Sequence, residues 1–282
     1  MTEAPVVVGA RPAPGAQRVA VGLGLAIVGI GCVFWAPAFT ALGTLIAVGC
    51  LWEFAQLSAR KGSALEFPVA LLGVLAYFAL TYAHLIHRYE GVLLAATVIA
   101  ALGSAMFSGA GGYFARSAYT LLGVLYIGKL LSYFIAIRAL PGIGIAATIA
   151  AIVLIALTDI FAMLVGTAIG RTPLSPISPR KTVEGSLGGL FVAIAAGSAL
   201  GLTPWFHFTW WEGASVGAIT SIAAQAGDLV ESALKRDASV KDAGSLIGGH
   251  GGVLDRFDSY VFGGIAFYFA LWAIGALPRV AA

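Results

Sequence analysis

The chain has 282 residues, 60% of them hydrophobic and 10% charged, with a formal net charge of +3. A soluble domain carries about 25% charged residues, so this chain cannot cover itself with a polar surface, and the bilayer is the solvent it suits. Its basic residues do not interleave with aromatics as in a nucleic-acid groove, which excludes a nucleic-acid partner.

The predicted elements are membrane helices, since a spanning helix needs about 20 mainly apolar residues. In chain order the apolar runs cover 19–36, 38–57, 67–85, 92–109, 118–137, 143–165, 186–203, 211–230 and 259–277. The expected fold is therefore all-α: a polytopic transmembrane bundle of about eight to nine helices. Residues 1–18, with Arg11 and Arg18 before the first run, resemble the start of a signal peptide. Apolar runs continue through the whole chain, so the first run is read as a retained helix and 1–18 as a cytoplasmic tail. Cys32 and Cys50 sit inside apolar runs with no metal-site spacing and count as small hydrophobes. The six tryptophans lie near predicted span ends, as in an interfacial belt.

Two polar stretches interrupt the pattern, Arg171 to Gly185 and Lys235 to Asp258. If every run spans and the N-terminus is cytoplasmic, both stretches share the cytoplasmic face with Arg60, Lys61 and Arg116. The other face holds Arg88, Arg138 and Arg279, so the bias is positive-inside. This places an integral protein in the cell (inner or plasma) membrane with its polar stretches facing the cytoplasm.

The two last runs carry the chemistry. Asp228, Glu231, Ser232 and Lys235 fall at i, i+3, i+4 and i+7, on one helix face. Asp255, Asp258 and Ser259 share a face at the start of the next helix. Carboxylates at a membrane boundary are costly unless paired or bound to a metal. An oxygen-rich cluster suits a hard cation such as Mg²⁺, and the flanking bases suit phosphate. Between the helices lie Gly244, Gly248, Gly249, Gly251 and Gly252, which let a backbone approach an anion closely. The residues alone leave three readings open: metal-dependent phosphate chemistry, a transporter ion site, and a plain solvated loop.

The stretch from Ser232 to Asp258, with Lys235, Arg236, Lys241, Asp242, Gly244, Gly248, His250, Gly251, Gly252, Asp255 and Arg256 at fixed places, resembles the signature of the phosphatidate cytidylyltransferase family. A second resemblance covers Asp159, Gly166, Gly170 and Ser178-Pro179-Arg180-Lys181-Thr182-Val183-Glu184-Gly185. It departs at Ile160 and Phe161, where the family has small and hydroxyl residues. The resemblance implies transfer of a cytidylyl group from CTP to phosphatidate, giving CDP-diacylglycerol and pyrophosphate, with Mg²⁺ as cofactor and membrane lipids as surroundings. A second, monovalent cation and a homodimer are both left open. It divides the chain into N-terminal transmembrane helices over 19–142 and a catalytic region over 143–282.

By the same resemblance Asp228 and Asp255 are the expected metal ligands, with Lys241 and Asp242 counted beside them as catalytic. Lys235, Arg236, Lys241 and Arg256 are expected to hold phosphates. Ser232, Asp242, His250, Gly251 and Asp258 are expected nucleotide or supporting contacts, and Ser178, Lys181 and Thr182 are expected to complete the phosphate site. Simpler roles stand beside these. Lys181 and Glu184 could form an i,i+3 ion pair, and Thr182 could cap a helix. Asp258 could cap the last helix, and His250 could be a loop hydrogen-bond partner. Asp159 could hydrogen-bond a neighbouring helix. Lys129 and Glu53, both within apolar runs, have no assigned role; Lys129 either snorkels or faces the bundle interior.

Overall fold

The structure, a computed structural model, describes residues 27–244 and 251–277. Among these, the first apolar run is helical over 27–33. Eight longer helices follow: α1 Ala36–Arg60, α2 Phe67–Tyr82, α3 Ile86–Phe107, α4 Tyr113–Arg138, α5 Gly144–Ile169, α6 Val183–Leu200, α7 Trp210–Asp237 and α8 Leu254–Ala273. The N-terminal tail and His250 lie outside the described residues.

Local sequence explains many helix boundaries. Proline occupies the first turn of both α1 and α2, where its missing N–H costs nothing and its fixed φ suits a helix start. Thr209 and Glu212 close a reciprocal capping box at the start of α7, which satisfies two otherwise orphaned amides. Within α4, residues Val124–Lys129 form a π-helical segment, a local widening often found at functional sites. There Gly73 and Gly128 bring α2 and α4 close together: a Cβ on Gly73 would strike Val124, and one on Gly128 would strike the backbone of Val74.

Helices α1, α3, α4, α5 and α6 are long and apolar enough to cross a membrane. Large apolar side chains such as Leu45, Leu72, Ile99 and Phe191 point outward, each more than two-thirds exposed, as befits surfaces solvated by lipid rather than water. This is a polytopic membrane protein. Helices α7 and α8 are equally long but more polar, because they carry the acids and hydroxyls of the site.

The C-terminal helices pack in sequence order, α5 on α6, α6 on α7 and α7 on α8, and α8 also rests on the last part of α4. Small residues set the spacing. A Cβ on Gly217 would collide with the Ala193 carbonyl, and one on Gly227 would lie 2.6 Å from the Asp258 carbonyl oxygen. Backbones can approach this closely only where the side chain is absent. The contact at Gly227 brings α7 and α8 together beside Asp228 and Asp258.

Several connections meet at one end of the bundle. Lys61, just past α1, donates to Asp237 at the end of α7 at 2.8 Å. Glu66, just before α2, accepts from Ser108 at 2.7 Å and lies 3.6 Å from Arg116. Lys181, before α6, pairs with Asp228. Of the segments predicted to share the cytoplasmic face, those among the described residues share one end of the fold, and Arg138, which donates to the Val33 carbonyl at 2.5 Å, lies beside the start of α1 at the other.

Candidate active site

The site is assembled on the α7–α8 contact. The helical spacing that groups Asp228, Glu231 and Lys235 holds: the Lys235 ammonium lies 2.5 Å from Glu231 Oε2, one turn back on α7. The same ammonium lies 2.6 Å from Asp255 Oδ1 on α8. Lys235 is thus a bridge between the helices. Glu231 is fully buried, and the Lys235 and Asp255 side chains are 14% and 11% exposed, so the bridge is largely sheltered from solvent screening.

Asp228, Glu231 and Asp258 each offer a carboxylate oxygen within 4.8 Å of the other two. Asp258 is also buried, and its Oδ1 accepts from the Ser259 amide at 2.7 Å. It lies in the second turn of α8, so it does not cap that helix. The cap is supplied from elsewhere: Glu53 on α1 accepts from the Leu254 amide at 2.8 Å.

Asp255 stands apart from the three-carboxylate group. Its Oδ2 accepts from the Gly252 amide at 2.8 Å and the Ala243 amide at 3.0 Å, while Oδ1 takes the Lys235 ammonium. Both oxygens are therefore engaged by the chain itself. The expected ligands Asp228 and Asp255 flank one cluster, with Glu231 and Lys235 between them.

The other polar stretch reaches the cluster through Lys181, whose ammonium pairs with Asp228 rather than with Glu184. Glu184 instead gathers the amides of Arg171 and Thr172 and the Thr172 hydroxyl. It thereby pins the end of α5 to the start of α6. Thr182 is the N-cap of α6, accepting from the Gly185 amide at 3.1 Å. Ser178 lies in the preceding turn, its carbonyl accepting from the Lys181 amide at 3.0 Å. Asp159, within α5, accepts from the Ser259 hydroxyl at 3.2 Å, which ties α5 to α8 next to Asp258. Gln225 on α7 joins Ser186 on α6 through side-chain and backbone hydrogen bonds.

The remaining expected contacts ring this centre. Ser232 is half-buried on α7, while Arg236, Lys241, Asp242 and Arg256 are exposed at the same end. Arg236 donates to the Val240 carbonyl at 3.4 Å. Gly251 has a φ of +83°, a left-handed conformation in which a side chain would be strained. Two acids escaped assignment from sequence. Glu231 was signalled by its spacing from Asp228. Glu53 carried only the signal of an acid within an apolar run.

An all-helical polytopic membrane protein, with sheltered carboxylates and lysines gathered at one end of its last two helices, is the class that fold and site define. The chain belongs to the cytidylyltransferase family, whose model matches residues 16–274. It is 39% identical over 191 residues to a phosphatidate cytidylyltransferase of Synechocystis sp., covering 57% of this chain and 64% of that protein. Against the phosphatidate cytidylyltransferase of Bacillus subtilis identity is 42% over 154 residues, covering 54% of this chain and 57% of the relative. Against phosphatidate cytidylyltransferase 4, chloroplastic, of Arabidopsis thaliana it is 38% over 178 residues, covering 55% and 46%. The chain thus matches less than two thirds of the length of each of these relatives.

Proposed function

We propose that this protein transfers the cytidylyl group of CTP to phosphatidate, forming CDP-diacylglycerol and pyrophosphate at the cytoplasmic membrane face. The observation that carries the reading is the cluster itself. Four carboxylates, Asp228, Glu231, Asp255 and Asp258, face two ammonium groups, Lys181 and Lys235. By themselves and all ionised, these six side chains sum to a formal charge of −2. Buried carboxylates in excess of their partners are strongly unfavourable, and an all-oxygen donor set of this kind fits Mg²⁺.

Asp228, Glu231 and Asp258 would hold the cation. Asp255 would join them by yielding Lys235, a group that a phosphate oxygen draws off. When bound, the ion neutralises phosphate charge and polarises the phosphorus under attack. The chain's own residues do the rest. Lys181 and Lys235 already stand at the carboxylates and exchange those partners for phosphate oxygens. Arg236, Lys241 and Arg256 extend the cationic rim at the same end, and Ser178, Thr182, Ser232 and Asp242 border it. The phosphatidate phosphate is largely dianionic at neutral pH, so one of its oxygens attacks the CTP α-phosphorus without a general base. The bond from that phosphorus to the bridging oxygen of the β-phosphate breaks, and pyrophosphate leaves carrying the charge that the cationic groups stabilise. The acyl chains stay in the bilayer, against the apolar outer surface.

The test is incubation of purified protein with labelled CTP and phosphatidate, with and without Mg²⁺. A labelled CDP-lipid that forms only with the metal supports the reading. A phosphorylated alcohol identifies a lipid kinase instead, and the absence of any nucleotide chemistry returns the cluster to a transporter ion site.

A further inference from the structure

Glu53 has no part in the cluster just described, yet its carboxylate is one of the most deeply buried charged groups in the fold, with no exposed surface. Burying a carboxylate costs several kcal/mol, and a Leu or Met would fill the same space on α1 without that cost. Its surroundings explain the acid. The first turn of α8 receives no side-chain cap from its own N-cap residue, Val253. The Leu254 amide donates instead to Glu53 Oε2, across 201 positions of sequence. A carboxylate there also meets the positive end of the helix dipole.

The two described ends of the glycine-bearing loop close around the same group. A Cβ on Gly244 would strike Glu53 Oε1, and one on Gly252 would strike Oε2. Gly49, one turn earlier on α1, packs under Val253, where a Cβ would lie 3.3 Å from its methyl. On its far side the loop is held by Asp255, whose Oδ2 collects the amides of Ala243 and Gly252. Two carboxylates thus meet the loop: Asp255 hydrogen-bonds both of its described ends, while Glu53 packs closely against Gly244 and Gly252 and hydrogen-bonds the following Leu254 amide.

Resting on the reaction proposed above, we infer that Glu53 is a positioning residue: from α1 it caps the first turn of α8 and packs against Gly244 and Gly252 at the loop ends, and so sets where Asp255 and its partner Lys235 stand. Among the described residues its carboxylate's one hydrogen bond is to the Leu254 amide, not to a member of the three-carboxylate group. Its influence passes through the backbone at Gly252 and Leu254.

The test compares Glu53→Ala, Glu53→Gln, Gly252→Ala and the Glu53→Ala/Gly252→Ala double variant, purified in detergent. Steady-state kinetics with CTP and phosphatidate and thermal unfolding are both read. Misplacement on the ångström scale costs about a hundredfold in turnover, and that loss in kcat is expected for Glu53→Ala. Glu53→Gln keeps a carbonyl acceptor for the Leu254 amide and should recover at least about tenfold of it. Gly252→Ala should damage the wild-type background, where the new methyl meets the carboxylate. It should cost little more in the Glu53→Ala background, where the space is vacated. A Glu53→Ala protein whose kcat stays within about twofold of wild type, or strictly additive effects of the two alanines in both kinetics and unfolding, would overturn the inference. If Glu53→Ala does not fold, the contrast between Glu53→Gln and Gly252→Ala decides. Wild-type protein that turns over no CTP defeats the proposed reaction and not the packing of Glu53 against Gly252, which the unfolding cycle still reads.

Discussion

Two ion pairs on membrane helices use the same residue types to different ends. Lys129, in the π-helical segment of α4, lies 2.7 Å from Glu90 on α3, and the two side chains are 31% and 37% exposed. One charge balances the other, and no further acid completes a metal-sized group with them among the described residues. Lys235 lies at similar distances from Glu231 and Asp255, but it serves two acids at once, and a third and a fourth stand on the same helices. The first pair is self-sufficient and reads as structure. The second, counted with Lys181 over its own four acids, leaves formal negative charge over, and in the proposed reaction that surplus is what draws the cation. The lesson is that an acid in a membrane helix is informative through its surroundings: how many opposite charges reach it, and whether they suffice.

The comparison breaks most decisively at Asp228. Asp228→Asn keeps the shape and removes one charge from the surplus, so turnover should fall by about a hundredfold or more, the scale of losing one preorganised electrostatic group. The variant should still purify as a folded membrane protein, and near-normal activity would remove Asp228 from the cation site. Next is Lys235→Met, which strands Glu231 and Asp255 without their shared ammonium. Breaking one side of a buried pair costs about 3–5 kcal/mol, so thermal unfolding should drop sharply together with activity. A smaller loss is expected of Gly227→Ala. Its methyl would press on the Asp258 carbonyl, and overpacking of that kind costs about 1–3 kcal/mol. The α7–α8 spacing should widen, and the Mg²⁺ concentration for half-maximal rate should rise, while Lys129 and Glu90 are untouched. The smallest effect belongs to the self-sufficient pair: replacing both partners, Lys129→Met with Glu90→Gln, should shift stability by less than about 1 kcal/mol and leave kcat unchanged. A large kinetic defect there would erase the distinction between the two pairs.

Much of the site was legible because its signals are local. The i, i+3, i+4, i+7 spacing from Asp228 to Lys235 is a property of one helix, and the Lys235–Glu231 contact follows from it directly. The helical bundle follows from the apolar runs, since a backbone in lipid must satisfy its own hydrogen bonds. Thr182 as a helix cap was available on the same local grounds. Other features depend on which helices touch. Lys181 has an acid three residues away in Glu184, yet it pairs with Asp228, because α6 and α7 lie side by side and Glu184 is occupied by the amides of Arg171 and Thr172. Asp255 was expected as a metal ligand from the sequence, but its part as a collector of loop amides needs the positions of Ala243 and Gly252.

Sequence alone therefore determined the solvent of this protein, its helical class and the acids and bases carried by its last two helices, because composition, hydrophobic run length and helical period act over a few turns of one chain. Only the tertiary structure decided which acids share a cation-sized space, which lysine answers to which carboxylate, and that Glu53 reaches from the first of the eight helices to the start of the last. Those outcomes rest on interhelical distances of a few ångströms, set by glycines such as Gly227 and Gly252 whose partners lie on other helices, and no local periodicity encodes where those helices cross.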